Sequence, residues 1–309
     1  MSSPPATDLL ASLTEGIPPR PLAPALRTAR ADVVAAARAL ATIRDDRLVQ
    51  PWPWIGGSEE ELRYGFYRIA ESFDLAAIEA ADALRAATVE RGRAADLIAL
   101  ATAARWQLKG VLETVSDTDF AADPGGGEWS IRQTVGHMIS SQRGYSVGTA
   151  WWISQGYAAN DPALPSQVPD ELWHHLPSEE DDGLGSAAEV RDRFDSLLDR
   201  SAERLAGLDP ARLAIGGRWS GFAVDVAFRL GRWSSHIREH TIQVEKTLVL
   251  LGREPSEVQR LVRNVLAAWG RAEAAVFGAP AAGDAVAVLA DAASVARATA
   301  AELVATAAG

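Results

Sequence analysis

Residues 225–248 read DVAFRLGRWSSHIREHTIQVEKTL and combine a polar stripe with an apolar band at helical spacing. At about 100° per residue, the two features run side by side along one predicted helix. Arg238 and Glu245 project on the opposite side, which marks that side as the solvent face. The polar stripe is therefore predicted to face the interior, where polar groups need partners. It consists of Asp225, Arg229, Arg232, His236, His240, Gln243 and Thr247.

Three histidines on two predicted helices indicate a metal centre. His236 and His240 lie four residues apart, so both imidazoles occupy one helix face and can bind one ion. His137 lies in WSIRQTVGHM, residues 129–138, and would add a nitrogen from a neighbouring helix. Three protein nitrogens leave coordination positions for water or substrate, as catalytic sites do. The alternative is a pair of ordinary surface or core histidines, which the inward face and the third histidine disfavour.

Helical periodicity dominates the sequence from residue 25 onwards. Few windows alternate with period two, and the β-branched residues are scattered among alanine and leucine. The sequence therefore predicts an all-α fold. Ser130 and Gln133 form a capping box that begins the helix of His137. Predicted helices span residues 25–44, 58–85, 91–115, 130–155, 187–208, 221–251, 256–277 and 284–307.

Residues 156–185 form a long polar segment that contains the acidic run EEDD at residues 179–182. Loops of this length in compact domains are usually functional or mobile. His174 and His175 are neighbours within this segment, and adjacent residues in a loop rarely bind the same ion. We therefore expect these two histidines to be exposed to solvent rather than to bind the metal.

The composition limits the partners and the location of the protein. A net charge of -11 and a pI near 5.0 disfavour nucleic acid and acidic membranes and favour a small-molecule partner. The absence of cysteine excludes disulfides and thiolate ligands, so any thiol must arrive with a substrate. With neither a secretory signal nor a long apolar stretch, we expect a cytoplasmic protein. Abundant alanine and the near absence of lysine suggest an actinobacterial source.

Three polar residues beside the histidine pair are candidates for substrate binding or catalysis. Arg229 and Arg232 suit a carboxylate or another anion through bidentate hydrogen bonds, whereas a structural ion pair with Asp225 is the alternative. Gln243 or Asp225 could orient a metal-bound histidine through its second nitrogen. Arg232 and Gln243 are the catalytic candidates here, and Arg229 is the substrate-binding candidate.

The face of the other predicted helix that carries His137 is rich in small residues. Ser141, Gly144 and Gly148 lie on that face and could leave room for a ligand. Their alternative role is to let two helices pack closely. Tyr145 is a third catalytic candidate, as a proton donor, although core packing is its simpler role. These residues predict one wall of a substrate pocket.

Two motifs resemble those of the DinB/YfiT-like superfamily, which includes the metal-binding domain of mycothiol-dependent maleylpyruvate isomerases. They are GEWSIRQTVGH, ending at His137, and HIREHTIQVEKTL, beginning at His236. The resemblance implies an up-down-down-up four-helix bundle in which His137, His236 and His240 bind a divalent metal, often zinc or nickel, with iron or manganese as alternatives. It also implies a thiol cosubstrate such as mycothiol or bacillithiol, and the actinobacterial composition favours mycothiol.

The resemblance covers residues 91–251 and leaves two flanking regions. We predict an extended or disordered arm over residues 1–24, an N-terminal helical extension over 25–90 and a C-terminal helical hairpin over 252–309. The hairpin differs from the mixed α/β domain of the maleylpyruvate isomerases, so isomerase activity is not implied. The added helices could cover the pocket, support a homodimer or enlarge the core, and we favour a structural role.

Three functions are compatible with these features. The leading hypothesis is a metal-dependent thiol S-transferase that acts on a small electrophile. The second is a metallohydrolase or lyase, which would need a base beside a metal-bound water. The third is a non-catalytic stress or ligand-binding protein, which the small number of acid and base candidates permits.

Overall fold

The computed structural model describes residues 6–174, 176–280 and 282–309, and the described chain is mainly helical. The predicted all-α fold is confirmed, with two short antiparallel hairpins added to it. The strands are β1 (Pro51–Pro53), β2 (Glu59–Glu61), β3 (Gly216–Trp219) and β4 (Phe222–Asp225). The helices are α1 (Ala6–Leu13), α2 (Pro24–Leu40), α3 (Arg63–Ala86), α4 (Arg93–Leu112), α5 (Asp117–Ala121), α6 (Ile131–Gln155), α7 (Glu179–Gly183), α8 (Ala187–Leu205), α9 (Val226–Leu250), α10 (Glu257–Val276) and α11 (Gly283–Ala308).

Helices α4, α6, α8 and α9 form a first four-helix bundle around one hydrophobic core. Contacts along the helices show that α4 runs parallel to α9 and that α6 runs parallel to α8, while the two pairs are antiparallel. This is the up-down-down-up order that the resemblance implied. The contacts are Leu97 with Gly231, Arg132 with Gly185, Ser146 with Ser201, Lys109 with Asp195, Arg105 with Asp199, Trp129 with Thr247 and Thr149 with Arg229. Val111 and Glu245, near the other ends of α4 and α9, line one cavity.

Helices α2, α3, α10 and α11 form a second bundle with a core of its own. Here α2 runs parallel to α11 and α3 runs parallel to α10, so the up-down-down-up order is repeated. The contacts are Asp32 with Arg297, Arg47 with Ala307, Arg63 with Glu257, Asp74 with Arg271, Gly65 with Leu303 and Arg30 with Glu273. The first bundle is thus inserted into the second between α3 and α10.

The second bundle corrects the prediction of a separate N-terminal extension and a C-terminal hairpin. Helices α10 and α11 make little contact with each other and pack instead on the N-terminal helices α2 and α3. The sequence pattern identified each helix by its apolar stripe, but such a stripe does not say which other helix covers it. The two predicted regions are halves of one bundle.

A ring of four charged side chains joins the two bundles where α4 packs against α10. Arg30 donates to Asp199 at 2.6 Å and to Glu273 at 2.8 Å. Arg105 donates to the same two carboxylates at 2.6 Å and 3.0 Å. In each bundle the arginine lies on the first helix and the carboxylate on the third, so the ring has approximate two-fold symmetry. Glu273 is fully buried and also accepts from Trp106 Nε1 at 2.9 Å.

The predicted extended or disordered arm is wrong for residues 6–13, which form α1. The prolines of this region favoured an extended chain, but α1 packs on α6 and α8, and Leu10 is buried there. Residues 1–5 of the predicted arm lie outside the described residues. Among the described helices, none has the length and apolar character required to cross a membrane.

Two predicted helices begin later than expected because a hairpin precedes each of them. The helix predicted from residue 58 begins at Arg63, after β1 and β2, and the helix predicted from residue 221 begins at Val226, after β3 and β4. Ser220 and Gly221 link β3 to β4, and both have positive φ values of 47° and 84°. Such a two-residue turn suits the twist of a hairpin. Asp225 then caps α9 by accepting from the Phe228 amide at 2.7 Å.

The acidic run of the 156–185 segment forms helix α7 instead of a mobile loop. Its first residues are held by a capping box between Ser178 and Asp181. Asp182 is buried and accepts two hydrogen bonds from Arg143 of α6, at 2.7 Å and 2.6 Å. A Cβ added to Gly136 would lie only 2.6 Å from the Glu179 carbonyl oxygen, so this glycine lets α7 approach α6. The close approach places Glu179 beside His137.

Candidate metal centre

The three predicted ligands meet between α6 and α9. His137 lies in the second turn of α6, and His236 and His240 lie one turn apart in the middle of α9, which runs antiparallel to α6. One ligand atom from each of the three residues lies within 4.8 Å of the other two. The imidazole centroids are 4.3 Å apart for His236 and His240, and 4.9 Å apart for His137 and His240. This compact set of nitrogens can surround one divalent ion.

Hydrogen bonds orient two of the imidazoles through their Nδ1 atoms. Glu179 Oε1 lies 2.9 Å from His137 Nδ1, and because a carboxylate only accepts, this nitrogen carries the proton. Gln243 Oε1 lies 2.7 Å from His240 Nδ1 and has the same effect. The Nε2 atoms are left for a ligand. The Nε2 atoms of His236 and His240 lie 3.0 Å apart. Gln243, one of the predicted catalytic residues, is thus placed as a positioning residue.

Glu179 is a functional residue that the sequence interpretation missed. Metal-binding histidines commonly donate their second N–H to a carboxylate, so an acidic run close to the site was the available signal. The run was interpreted as a loop, and nothing in its spacing relates it to His137. The sequence separation between the two residues is 42 positions.

Removal of the Glu179 carboxylate is expected to weaken metal binding. With Glu179→Ala, His137 loses the acceptor that fixes its tautomer and ring orientation, and such losses typically lower metal affinity by roughly 10- to 100-fold. Chelator competition with zinc or nickel measures the change. Glu180→Ala is the matched control, because Glu180 is its exposed neighbour on α7. Equal affinities for the two variants would contradict this role.

Burial keeps His236 and His240 neutral. Loss of solvent, together with the neighbouring His240, His137 and Arg232, lowers the pKa of His236 to about 3. The pKa of His240 is also lowered by burial, although its hydrogen bond to Gln243 opposes this effect. Neutral imidazoles have the free lone pair that a metal ligand needs. These two imidazoles are therefore in their metal-binding protonation state at neutral pH.

The same shifts predict that the metal-free protein loses stability as the solution is acidified. The pKa of His236 is about 3 in the folded protein, below the unfolded value of 6.5. The contribution of this residue to the free energy of unfolding is therefore fully present above pH 6.5. Below pH 6.5 the unfolded chain takes up protons that the folded chain does not, at up to about 1.4 kcal/mol per pH unit for each group. Urea unfolding at pH 7.5 and 5.5 measures the change. Between these two pH values the free energy of unfolding should fall less for His236→Gln than for the wild type. Equal losses would contradict the prediction.

The remaining candidates occupy different positions around the centre. Ser141 Oγ lies 3.2 Å from His137 Nε2, and the Tyr145 ring lies edge-on to His236 at 5.3 Å. Arg232 is paired with Glu239 through bonds of 2.7 Å and 2.6 Å, which neutralises its charge. Arg229 does not pair with Asp225, since the latter caps α9. The structure thus distinguishes the two arginines, both of which the sequence allowed as partners of an anion.

Two cavities are lined by residues that contact the histidines. One, of about 500 Å³, is lined by Ser141, Gly144, Tyr145 and Arg229 together with aromatic residues. Gly148 lies beneath Arg229 at the same wall. The other, of about 960 Å³, is lined by Trp129, whose ring lies 5.2 Å from His137, and by Glu179. His174 is exposed as expected, while His175 lies outside the described residues.

The fold and the site together define a helical-bundle protein with a three-histidine candidate metal centre. Residues 100–244 match the family model of the DinB superfamily, and this range contains most of the bundle of α4, α6, α8 and α9. Helices α2, α3, α10 and α11 of the second bundle lie outside the matched range. No curated protein and no solved structure matches the chain.

Proposed function

We propose that this protein is a metal-dependent transferase that activates a low-molecular-weight thiol, mycothiol in the first instance, for attack on a small electrophile. The observation that supports this function is the convergence of three imidazoles beside residues that line two cavities. A reaction between two substrates requires a compartment for each of them on either side of the activating group.

The donor set fits a zinc or nickel ion held by His137, His236 and His240. Neutral imidazole nitrogens suit these metals better than they suit magnesium or calcium, and iron or manganese are the alternatives. Three protein donors leave at least one open position. When bound there, the metal would lower the pKa of an incoming thiol and hold it as a thiolate. The protein supplies no thiol of its own, since it contains no cysteine.

The protein side chains position the reactants. Glu179 and Gln243 fix the rings of His137 and His240 and so fix the direction of the open position. We assign the thiol to the larger cavity beside Trp129 and the electrophile to the smaller cavity beside Tyr145. Residues that contact the histidines line both cavities, so reactants held in them would approach each other at the metal.

The alternative with a metal-bound water as nucleophile needs a free carboxylate base beside the centre. Two carboxylates interact with the histidines in the described structure, Glu179 and Glu239. Glu179 is bonded to His137, and Glu239 is bonded to Arg232. Because both are engaged, we favour a nucleophile that arrives as a thiol.

A conjugation assay with metal-loaded protein tests the proposal. Protein loaded with zinc, nickel or cobalt is mixed with mycothiol and a panel of electrophiles, and the disappearance of free thiol is followed. We expect turnover that requires both the metal and the thiol, and a change in the cobalt absorption spectrum when the thiol is added. Turnover without thiol would favour the hydrolase or lyase alternative. An unchanged spectrum without turnover would favour a binding protein.

A further inference from the structure

Arg229 is a buried cation without an acidic partner among the described residues. Only 7% of its surface is exposed. Its Nε donates to Thr149 Oγ1 at 3.0 Å and its Nη1 donates to the Arg218 carbonyl, and both acceptors are uncharged. Burial lowers its pKa to about 10, so it remains protonated at neutral pH. The positive charge therefore lacks a counter-charge in the described structure.

Several other buried or partly buried arginines are neutralised by carboxylates. Arg105 contacts Asp199 and Glu273, and Arg143 binds Asp182 through two hydrogen bonds. Arg232, three residues after Arg229 on the same helix, pairs with Glu239. An unpaired buried charge is costly, and it is retained where a ligand supplies the missing charge. Arg229 is the arginine with this property next to the metal centre.

The remaining guanidinium nitrogen of Arg229, Nη2, has no hydrogen-bond acceptor in the described residues and borders the 500 Å³ cavity. A Cβ on Gly148 would lie only 2.9 Å from Nη2, so a glycine is needed at position 148 to make room for the guanidinium group. The same Cβ would lie 3.5 Å from the Trp173 ring and 3.8 Å from Val168. Nη2 is therefore at an open end of the cavity with apolar side chains around it.

A second guanidinium lines the same cavity. Arg218 donates to the carbonyl oxygens of Pro165 and Leu164 at 3.3 Å and 3.4 Å, and no carboxylate pairs with it in the described residues. One acidic residue, Asp170, also lines the cavity, and it is exposed. Two arginines against one exposed carboxylate leave the cavity positively charged. Its charge and its aromatic walls suit an anion on an apolar body.

The cavity that Arg229 lines also reaches two residues that contact the histidines. Ser141 and Tyr145 line it, and these two residues contact His137 and His236 respectively. Arg229 precedes His236 by seven residues on α9, which corresponds to about 10 Å along the helix axis. A ligand with its anionic end at Arg229 and its reactive end at the histidines must therefore extend over several bonds.

We infer that Arg229 and Arg218 form a carboxylate-binding subsite that selects an extended, unsaturated or aromatic carboxylic acid as the electrophile. Charge-assisted bonds from Nη2 would receive the carboxylate, and Trp173, Trp152 and Trp219 would cover the carbon skeleton. This inference rests on the proposed function for the identity of the reaction, but the subsite itself is defined by its charge and shape. Arg229 acts in binding and is not a catalytic residue.

The probes are 4-chloro-3-nitrobenzoate and its neutral amide, which differ only in the group that Arg229 would bind. In the reaction, the thiolate sulfur forms a bond to the carbon that carries chlorine, the carbon–chlorine bond breaks, and chloride leaves with the electron pair. The thiol proton passes to the buffer. Binding is measured by calorimetry on metal-free protein, so that a carboxylate on the metal does not contribute. Turnover is measured separately on metal-loaded protein.

We expect the acid to bind more tightly than the amide, and Arg229→Met to weaken binding of the acid by roughly 10- to 100-fold with little effect on the amide. Arg218→Met should produce a smaller loss, and it serves as a second test if Arg229→Met does not fold. Arg238→Met is the matched control, because Arg238 lies on the exposed side of α9. Equal binding of acid and amide to the wild type, or unchanged binding of the acid to Arg229→Met, would overturn the inference.

The two proposals can fail separately in this design. Binding of the acid through Arg229 without thiol-dependent turnover would support the subsite and contradict the transferase. Turnover of acid and amide at equal rates and with equal KM values would support the transferase and contradict the subsite. The thiols 2-mercaptoethanol and glutathione distinguish the source of the carboxylate. If Arg229→Met affected only reactions of glutathione, the carboxylate would belong to the thiol and our assignment to the electrophile would be wrong.

Discussion

Replacing His240 by alanine is expected to lower the metal affinity by about two to three orders of magnitude. A protein zinc site is worth about 10–16 kcal/mol with its full set of ligands, so one ligand in four accounts for a few kcal/mol. His240 is also central to this site, since its ring lies 4.3 Å from His236 and 4.9 Å from His137. Its loss also frees Gln243, which holds the ring through Nδ1.

The measurement is the metal content of purified protein together with a chelator competition titration. His174→Ala is the control, because His174 is exposed in the 156–185 segment and is not part of the three-histidine cluster. We expect the control to bind metal like the wild type, and His137→Ala and His236→Ala to resemble His240→Ala. Metal content that is unchanged in His240→Ala would remove the basis of the candidate centre, and with it the proposed transferase.

The sequence predicted the helices and the pairing of His236 with His240 because both depend on local spacing. Four-residue spacing fixes the relative positions of His236 and His240 on any α-helix, whatever surrounds it. The capping box of Ser130 and Gln133 is likewise set within one turn, and the structure confirms it. In both cases the interacting groups belong to one short segment.

The features that the sequence did not predict depend on distant contacts. Glu179 reaches His137 because Gly136 lets α7 pack closely on α6, a contact between backbones that carries no periodic signal. Arg229 and Arg232 occupy the same predicted stripe, and only their surroundings show that Glu239 neutralises one of them. The second bundle unites helices from both ends of the chain, and Arg30 and Glu273 are separated by 243 positions.

The two bundles are related in a way that bears on the role of the added helices. They share one helix order, and the ring of Arg30, Arg105, Asp199 and Glu273 takes an arginine and a carboxylate from equivalent helices of each. The second bundle covers the face of the first that contains α4 and part of α8. That face is buried within the chain, so a homodimer, if formed, would have to use another surface.

Glu273→Ala is expected to destabilise the protein by about 3–5 kcal/mol, as the loss of one partner from a buried ion pair does. Glu273 is fully buried, and its removal leaves Arg30 and Arg105 with one shared carboxylate, Asp199, which is partly exposed. The indole N–H of Trp106 also loses its acceptor. Most of the lost stability comes from the arginine charges that stay buried without a partner. The cavity left by the Glu273 side chain adds a further cost.

Urea unfolding of the metal-free protein at pH 7.5 measures this prediction. Asp74→Ala is the matched control. Asp74 pairs with Arg271, which lies on α10 like Glu273, but both side chains of this pair are 49% exposed. An exposed pair of this kind contributes at most about 1 kcal/mol. Glu273→Gln should lose less stability than Glu273→Ala, because an amide oxygen still accepts a hydrogen bond from one arginine. If Glu273→Ala were no less stable than Asp74→Ala, the ring would not hold the two bundles together, and their apolar contact at α4 and α10 would be sufficient.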